Sequence, residues 1–325
     1  MKKFAVVLIM VMLVLGSISA GPAQSKEFPS KPIELICVYT PGGTMDLWSR
    51  LVADIAQKNL GQPMVVVSKP GAAGSLGAAE VISAKPDGYK VVGLTNFFHA
   101  TTVKTQAVPF DPGNLVPIAT MLEFKHGLCV RGDSQWKTLN DMLDYAKKNP
   151  GKLRWSHHGR GTTIHIIPLA IFKKAGVETV DVPYKGGSEQ LSALLGGHVD
   201  ASSNTYSIPK DHVKAGKVRF LVFYSDRRFS DPADVPSAVE AGFPEIEKLT
   251  TVVNLYVHKN TPDNVKKVLV DAFKKVYDDP EYKKGVDKLG EVPRYGGPDA
   301  AMASIKKAEE AGVPIIKDLG LYIGK

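Results

Sequence analysis

The stretch Pro32–Leu60, PIELICVYTPGGTMDLWSRLVADIAQKNL, decides how the rest of the chain is read. Its apolar opening predicts a strand over Pro32–Tyr39, and TPGGT is a turn. Leu47, Leu51, Ile55 and Leu60 then recur at helical spacing until Gly61 stops the helix. A second unit follows at once. Met64–Val67 predicts a strand, SKPGAAGS a turn, and a helix runs on through Ala84. PDGY is another turn, and Lys90–Leu94 a third strand. Strands that alternate with helices build a parallel sheet covered on both faces.

The same order begins again further on. Leu153–Ser156 predicts a strand, followed by HHGRGT and a helix through Lys174. Glu178–Pro183 is the next strand, then YKGGS, the helix EQLSALLGG and a strand over His198–Ser202. Two successive glycine turns in each half, each between a strand and a helix, read as two lobes of one plan. His126–Arg131 and Leu255–His258 are the candidate strands that cross between the lobes, which implies a hinge. The helices Asn264–Tyr277 and Pro298–Ala311 are expected to return to the first lobe. The expected division is a leader over 1–23, one lobe from 24–127 plus 250–325, and a second from 128–249, with a cleft between them.

The 325 residues suffice for two domains, and an apolar content of 44% is globular. Lys2 and Lys3, the apolar run Phe4–Leu15 and small residues after it have the order of a secretory signal, with cleavage after Ala20 or Ala23. That run is shorter than the ~20 residues a permanent span needs. Removing the two lysines takes the net charge from +8 to +6. The surplus is spread along the chain and there is no aromatic-basic interleaving, so nucleic acid is not an expected partner. Cys37 and Cys129 both lie in apolar runs and read as buried thiols.

The glycine turns carry the functional expectation. A helix start offers unpaired N–H groups and the positive end of the dipole, and glycine lets a ligand approach the backbone. Thr44, Ser75, Thr162 and Ser188 can cap a helix or offer a hydroxyl. Four such turns in two facing pairs suit an anion. Competing chemistries are thinly supported. G-x-x-x-x-G-K-[ST] and G-x-G-x-x-G are both absent. Ala73–Gly77 (AGSLG) is near a nucleophile elbow, yet its turn is long and no Asp and His stand out as partners for Ser75. SHHGRGTTIH (156–165) holds three His, but His157 and His158 are adjacent and His165 reads as a packed side chain, so no metal site is expected.

YTPGGTMD, GQPMVVVSKPGAAGSLGAAEV, PDGY, NPGKLRWSHHGRGTTIH, VPYKGGSEQLSALLGGHVD, AGKVRFLV and DVPSAVEAG occur in this order. The chain thereby resembles, over nearly all of its length after the leader, the Bug family of periplasmic solute receptors that serve tripartite tricarboxylate transporters. The resemblance implies an α/β, two-lobed periplasmic binding protein of type II-like plan, two Rossmann-like lobes joined by two crossover strands. It implies a carboxylate ligand, aromatic or di- or tricarboxylate, closed between the lobes and handed to membrane permease subunits. It implies no catalysis; no cofactor is expected, and the protein is expected to be a monomer. A receptor that docks on a membrane kinase is not separable from one that docks on a permease. Carried over, the site comprises Gly42, Gly43, Thr44 and Asp46 with Tyr39 before them; Gly71, Ala72, Ala73, Gly74 and Ser75; Asn96; Ser156, Gly159, Gly161, Thr162 and Thr163; Gly186 and Gly187; and Asn204. This chain departs from the family pattern at His157, His158, Arg160, Phe97 and Phe98, of which His157, Arg160 and Phe97 are counted in the expected site. Arg160 is a candidate bidentate partner for a second carboxylate, and Phe97 or Phe98 a stacking surface for the ligand body.

Overall fold

A computed structural model describes residues 27–324, so the expected leader lies outside the described residues. The strands in chain order are β1 (Ile33–Cys37), β2 (Met64–Ser68), β3 (Lys90–Thr95), β4 (Leu115–Glu123), β5 (His126–Arg131), β6 (Leu153–His157), β7 (Thr179–Pro183), β8 (Ala201–Thr205), β9 (Val218–Phe223), β10 (Val252–His258) and β11 (Val292–Gly296). They form two sheets, ordered β2-β1-β3-β10-β4-β11 and β7-β6-β8-β5-β9. The repeat seen in the sequence is now topological. In each sheet three strands pair in parallel, and one antiparallel strand is inserted before the fourth. The inserted strand is always the one that arrives from the other lobe, β10 in the first sheet and β5 in the second.

The expected crossover strands His126–Arg131 and Leu255–His258 therefore each lie wholly within one sheet. They are apolar because they run through a sheet centre. The crossing itself is short backbone, at Phe124–Lys125 and Thr250–Thr251, where Phe124 N–H donates to the Thr251 carbonyl at 2.9 Å. Asn96 binds the crossing to the first lobe. Its Nδ2 donates to the Thr250 carbonyl at 3.1 Å and to that of Ser304 at 3.3 Å. Its Oδ1 accepts the Val252 N–H at 3.1 Å.

The first helix, Thr44–Leu60, ends as expected, with Gly61 at φ 65° donating to the Gln57 carbonyl. Its buried face is set one residue off the expected stripe. Leu47 is 44% exposed, whereas Met45, Trp48, Val52, Ile55 and Ala56 are buried. Trp48 Nε1 donates to the Tyr282 hydroxyl at 3.0 Å, which donates to the Met121 carbonyl at 2.6 Å. Leu51 presses on Gly285, where a Cβ would lie 2.6 Å from its methyl, so glycine allows the helix Pro280–Leu289 to approach closely.

Two expectations shift. The strand expected at His198–Ser202 begins only at Ala201, because His198 N–H closes the preceding helix onto the Ala193 carbonyl. The long helix Pro298–Asp318 does not simply return to the first lobe. It begins beside the first sheet, where the Ala301 and Ser304 carbonyls meet Asn254 and Asn96. Ala308 and Ile316 then join the core of the second lobe with Phe97, Trp155 and Ile166. Gly312 between them fits against Thr101 and Phe97. Apolar residues four apart at 308, 312 and 316 keep one stripe facing both lobes. Cys37 and Cys129 are both buried free thiols, one in each sheet.

Candidate ligand-binding site

Three of the glycine turns converge between the lobes. The helices Thr44–Leu60, Thr163–Ala175 and Gly187–Leu195 start there, and their N-cap residues Gly43, Thr162 and Gly186 make no side-chain cap bond. Residues of all three starts line one cavity of about 30 Å³, and the first N–H groups of a helix have no acceptor within that helix. Of the expected residues, Tyr39, Gly43, Thr44, Thr162, Thr163 and Gly187 line it. The lobes are closed on one another. Thr44 Oγ1 lies 2.5 Å from Ser207 Oγ, and the Thr101 hydroxyl donates to the Gly161 carbonyl at 2.6 Å.

The remaining expected residues surround the cavity without lining it. Asp46 is 3% exposed; it accepts the Gly42 N–H at 3.0 Å and the Arg50 guanidinium at 2.9 and 3.1 Å. Burial works to raise its pKa, but the Arg50 bonds and the Gly42 N–H outweigh it and hold the carboxyl below its usual range. A carboxylate so committed does not receive a ligand amine. In the second turn, Gly71, Ala72, Ala73 and Gly74 all take positive φ. This bend turns Ala73 onto Gly159 of the opposite lobe, where a Cβ on the glycine would be 2.8 Å away. Ser75 is buried, and its hydroxyl accepts from Gln106 Nε2 at 3.2 Å. Gly161, at φ 74°, packs against Thr102 and Thr105, and Gly186 against Thr40. Asn204 binds the Gly187 carbonyl at 3.0 Å and so steadies the third helix start.

Three expectations about the ligand body do not hold geometrically. Phe97 is fully buried in the second core, and Phe98 is buried in a first-lobe cluster. Arg160 is exposed and is not among the cavity residues. The wall is made instead by Met45, Phe124, Ile164 and Ile208, with Thr40, Thr95 and Thr205 and the two histidines His126 and His158. No charged side chain is among these lining residues. Phe124 and His126 come from the crossing, which is the floor of any such cleft, so the crossover reading carried a signal for them. Met45 and Ile164 follow the helix starts directly.

Behind the second-lobe turn lies a buried polar cluster. Ser156 Oγ donates to Ser202 Oγ at 2.9 Å. His157, fully buried, bonds through Nε2 to Asp181 Oδ2 at 3.0 Å, and the His165 ring packs on it at 4.3 Å between centroids. His157, His165 and Asp181 bring ligand-type atoms within 4.8 Å of one another. The hydrogen bonding argues against a metal there. His165 Nδ1 accepts the Gly161 N–H at 3.2 Å, so the neutral ring carries its proton on Nε2, the atom a metal would need. Burial lowers the His165 pKa to about 3 and keeps the ring neutral.

Comparison with known proteins agrees with this architecture. The family model described as the tripartite tricarboxylate transporter family receptor matches residues 48–321. A Cupriavidus necator protein described as "UPF0065 protein in gbd 5'region" is 35% identical over 94% of this chain and 93% of its own. A solved structure described as a periplasmic transporter superposes with a TM-score of 0.85 at 29% identity, over 91% of this chain and 100% of the other. The periplasmic binding protein BugD does so with 0.84 at 25% identity, over 91% and 99%. Two lobes of one plan, closed over a cavity of helix starts, and a family match across nearly all the described residues lead to one conclusion: the chain belongs to the tripartite tricarboxylate transporter receptor family of periplasmic solute-binding proteins.

Proposed function

We propose that this protein is exported, cleaved after its leader, and binds an organic carboxylate between its lobes as a monomer, then delivers it to the membrane permease subunits of a tripartite tricarboxylate transporter. The observation that carries the reading is the convergence of three uncapped helix starts on a cavity whose lining holds no acidic side chain. Each start places a partial positive charge and free amides where a carboxylate would sit. Neutralisation then comes from the backbone of the helix starts, while Phe124, Met45, Ile164 and Ile208 offer an apolar wall to the carbon skeleton. The lobe boundaries fall at the two crossings, Phe124–Lys125 and Thr250–Thr251, and entry of a ligand of several carbons requires the lobes to part there. The handover to a permease rests on the family's description.

Thermal unfolding of the mature protein against a panel of aliphatic and aromatic mono-, di- and tricarboxylates tests this reading. An acid at 100 times its Kd adds about 2.7 kcal/mol of stability. The expected result is a raised Tm with one class of acid, unchanged by a chelator and by Ser75→Ala. If no acid raises the Tm, the reading is wrong.

A further inference from the structure

We propose that His158 makes this cleft selective for carboxylic acids that carry a hydroxyl group over their deoxy counterparts; the inference rests on the carboxylate reading above. A backbone carbonyl fixes the protonation of His158 through Gln190. The Gln190 amide is fully buried, and its Nε2 donates to the Ser203 carbonyl at 2.8 Å and to Ser156 Oγ at 3.3 Å. A carbonyl only accepts, so the amide cannot turn over. Its Oε1 therefore faces His158 Nδ1, at 2.6 Å, and that nitrogen must carry the proton. A neutral His158 then has a bare lone pair on Nε2. Burial lowers its pKa to about 4, so the ring is neutral at physiological pH.

His158 lines the cavity, its ring edge-on to Tyr39 at 4.9 Å. Among the described residues its Nε2 makes no hydrogen bond, and it is not one of the sealed, unpartnered atoms, so in a residue that lines the cavity it is the accessible polar atom. A hydrogen-bond acceptor that cannot donate thus stands in a pocket lined by helix starts, hydroxyls and apolar side chains. A carboxylate oxygen has nothing to donate to it. The ligand must bring its own O–H or N–H. An ammonium group would look for a carboxylate, but Asp46 is held by Gly42 and Arg50 and no acid lines the cavity. A hydroxyl satisfies Nε2 without any charge to balance. A site built to bond a hydroxyl discriminates against the analogue that lacks it, because the buried partner is left unpaired.

Titration calorimetry with malate, succinate and aspartate, and with 2-hydroxyadipate and adipate, tests the inference on the mature protein. At least one hydroxy acid should bind about tenfold or more tightly than its deoxy partner. In His158→Leu that ratio should fall below about twofold while the deoxy acid still binds. Imidazole ¹⁵N spectra of the wild type supply a readout that needs no variant. They should report the Nδ1–H tautomer, and Nε2 should shift with the hydroxy acid and not with the deoxy acid. Equal affinities, tighter binding of the deoxy acid or of aspartate, or an Nε2–H tautomer overturns the inference and leaves the carboxylate reading standing. Failure of all five acids, with another carboxylate raising the Tm, removes the hydroxyl class alone; failure of every carboxylate removes both.

Discussion

The turns TPGGT and HHGRGT occupy matching places in the two lobes and share one kind of brace, yet only the second has its carbonyl held across the cleft. The first is braced from within, by Asp46 reaching back to the Gly42 N–H and fixed by Arg50. The second has the matching internal brace, Gly161 N–H to His165 Nδ1 at 3.2 Å, and adds one from outside: the Gly161 carbonyl accepts from Thr101 and Thr102 of the other lobe. The bonds to the Gly161 carbonyl exist only while the lobes are together, so that turn is completed by closure. Gly42 and Gly161 show the contrast at single residues. Both take positive φ, 79° and 74°, but a Cβ on Gly42 meets nothing within 4 Å, whereas one on Gly161 lies 2.0 Å from Thr105 Oγ1 and 3.0 Å from Thr102 Cα.

Gly161→Ala should have the largest effect on binding. The backbone of Thr102 cannot step aside, so closure fails and carboxylate affinity, by calorimetry, drops about hundredfold, roughly 2.8 kcal/mol. Asn96→Ala removes the amide that ties the crossing to the long last helix. Urea unfolding should show a loss of about 2–3 kcal/mol, with a smaller change in affinity. Asp46→Asn weakens the internal brace and should cost about 1–2 kcal/mol at pH 7. Because the folded pKa of Asp46 is depressed, its contribution is present above the unfolded value of about 3.9 and fades as pH falls through the folded one. Wild type and Asp46→Asn should therefore converge in stability as the pH falls below the usual carboxylate range, and a constant gap would break the assignment. Gly42→Ala carries only the left-handed backbone cost, about 1 kcal/mol, and should lower affinity less than tenfold. Equal losses at Gly42 and Gly161 would dissolve the contrast between the turns. Arg160→Ala, on an exposed side chain, should change affinity less than about twofold.

The fold was legible because its signals are local. Glycine after an apolar run and helical spacing after the glycine mark each βα unit without knowledge of its neighbours, and the repetition of four such units implied two lobes. The helix starts at Gly43, Thr162 and Gly187 were legible for the same reason. What escaped depends on partners far along the chain. Nothing near Asn96 announces Thr250 and Ser304, and nothing near Phe97 announces Ala308. The polar run ASSNT reads poorly as a buried strand until Ser156, Gln190 and Tyr224 are seen to satisfy its hydroxyls. His157 and His158 look interchangeable in sequence. One is sealed against Asp181 and the other opens on the cavity, because β6 ends between them and alternate residues of a strand face opposite ways.

The insertion of β10 between β3 and β4 also bears on biogenesis. The first sheet lacks its central strand until Val252–His258 has left the ribosome, although β1 to β4 are made long before. The nascent chain thus carries an open sheet through most of its synthesis and cannot close its amino-terminal lobe early. Until then β3 and β4 each keep an unpaired edge, so the growing chain exposes strand edges open to wrong pairing for as long as β10 is missing.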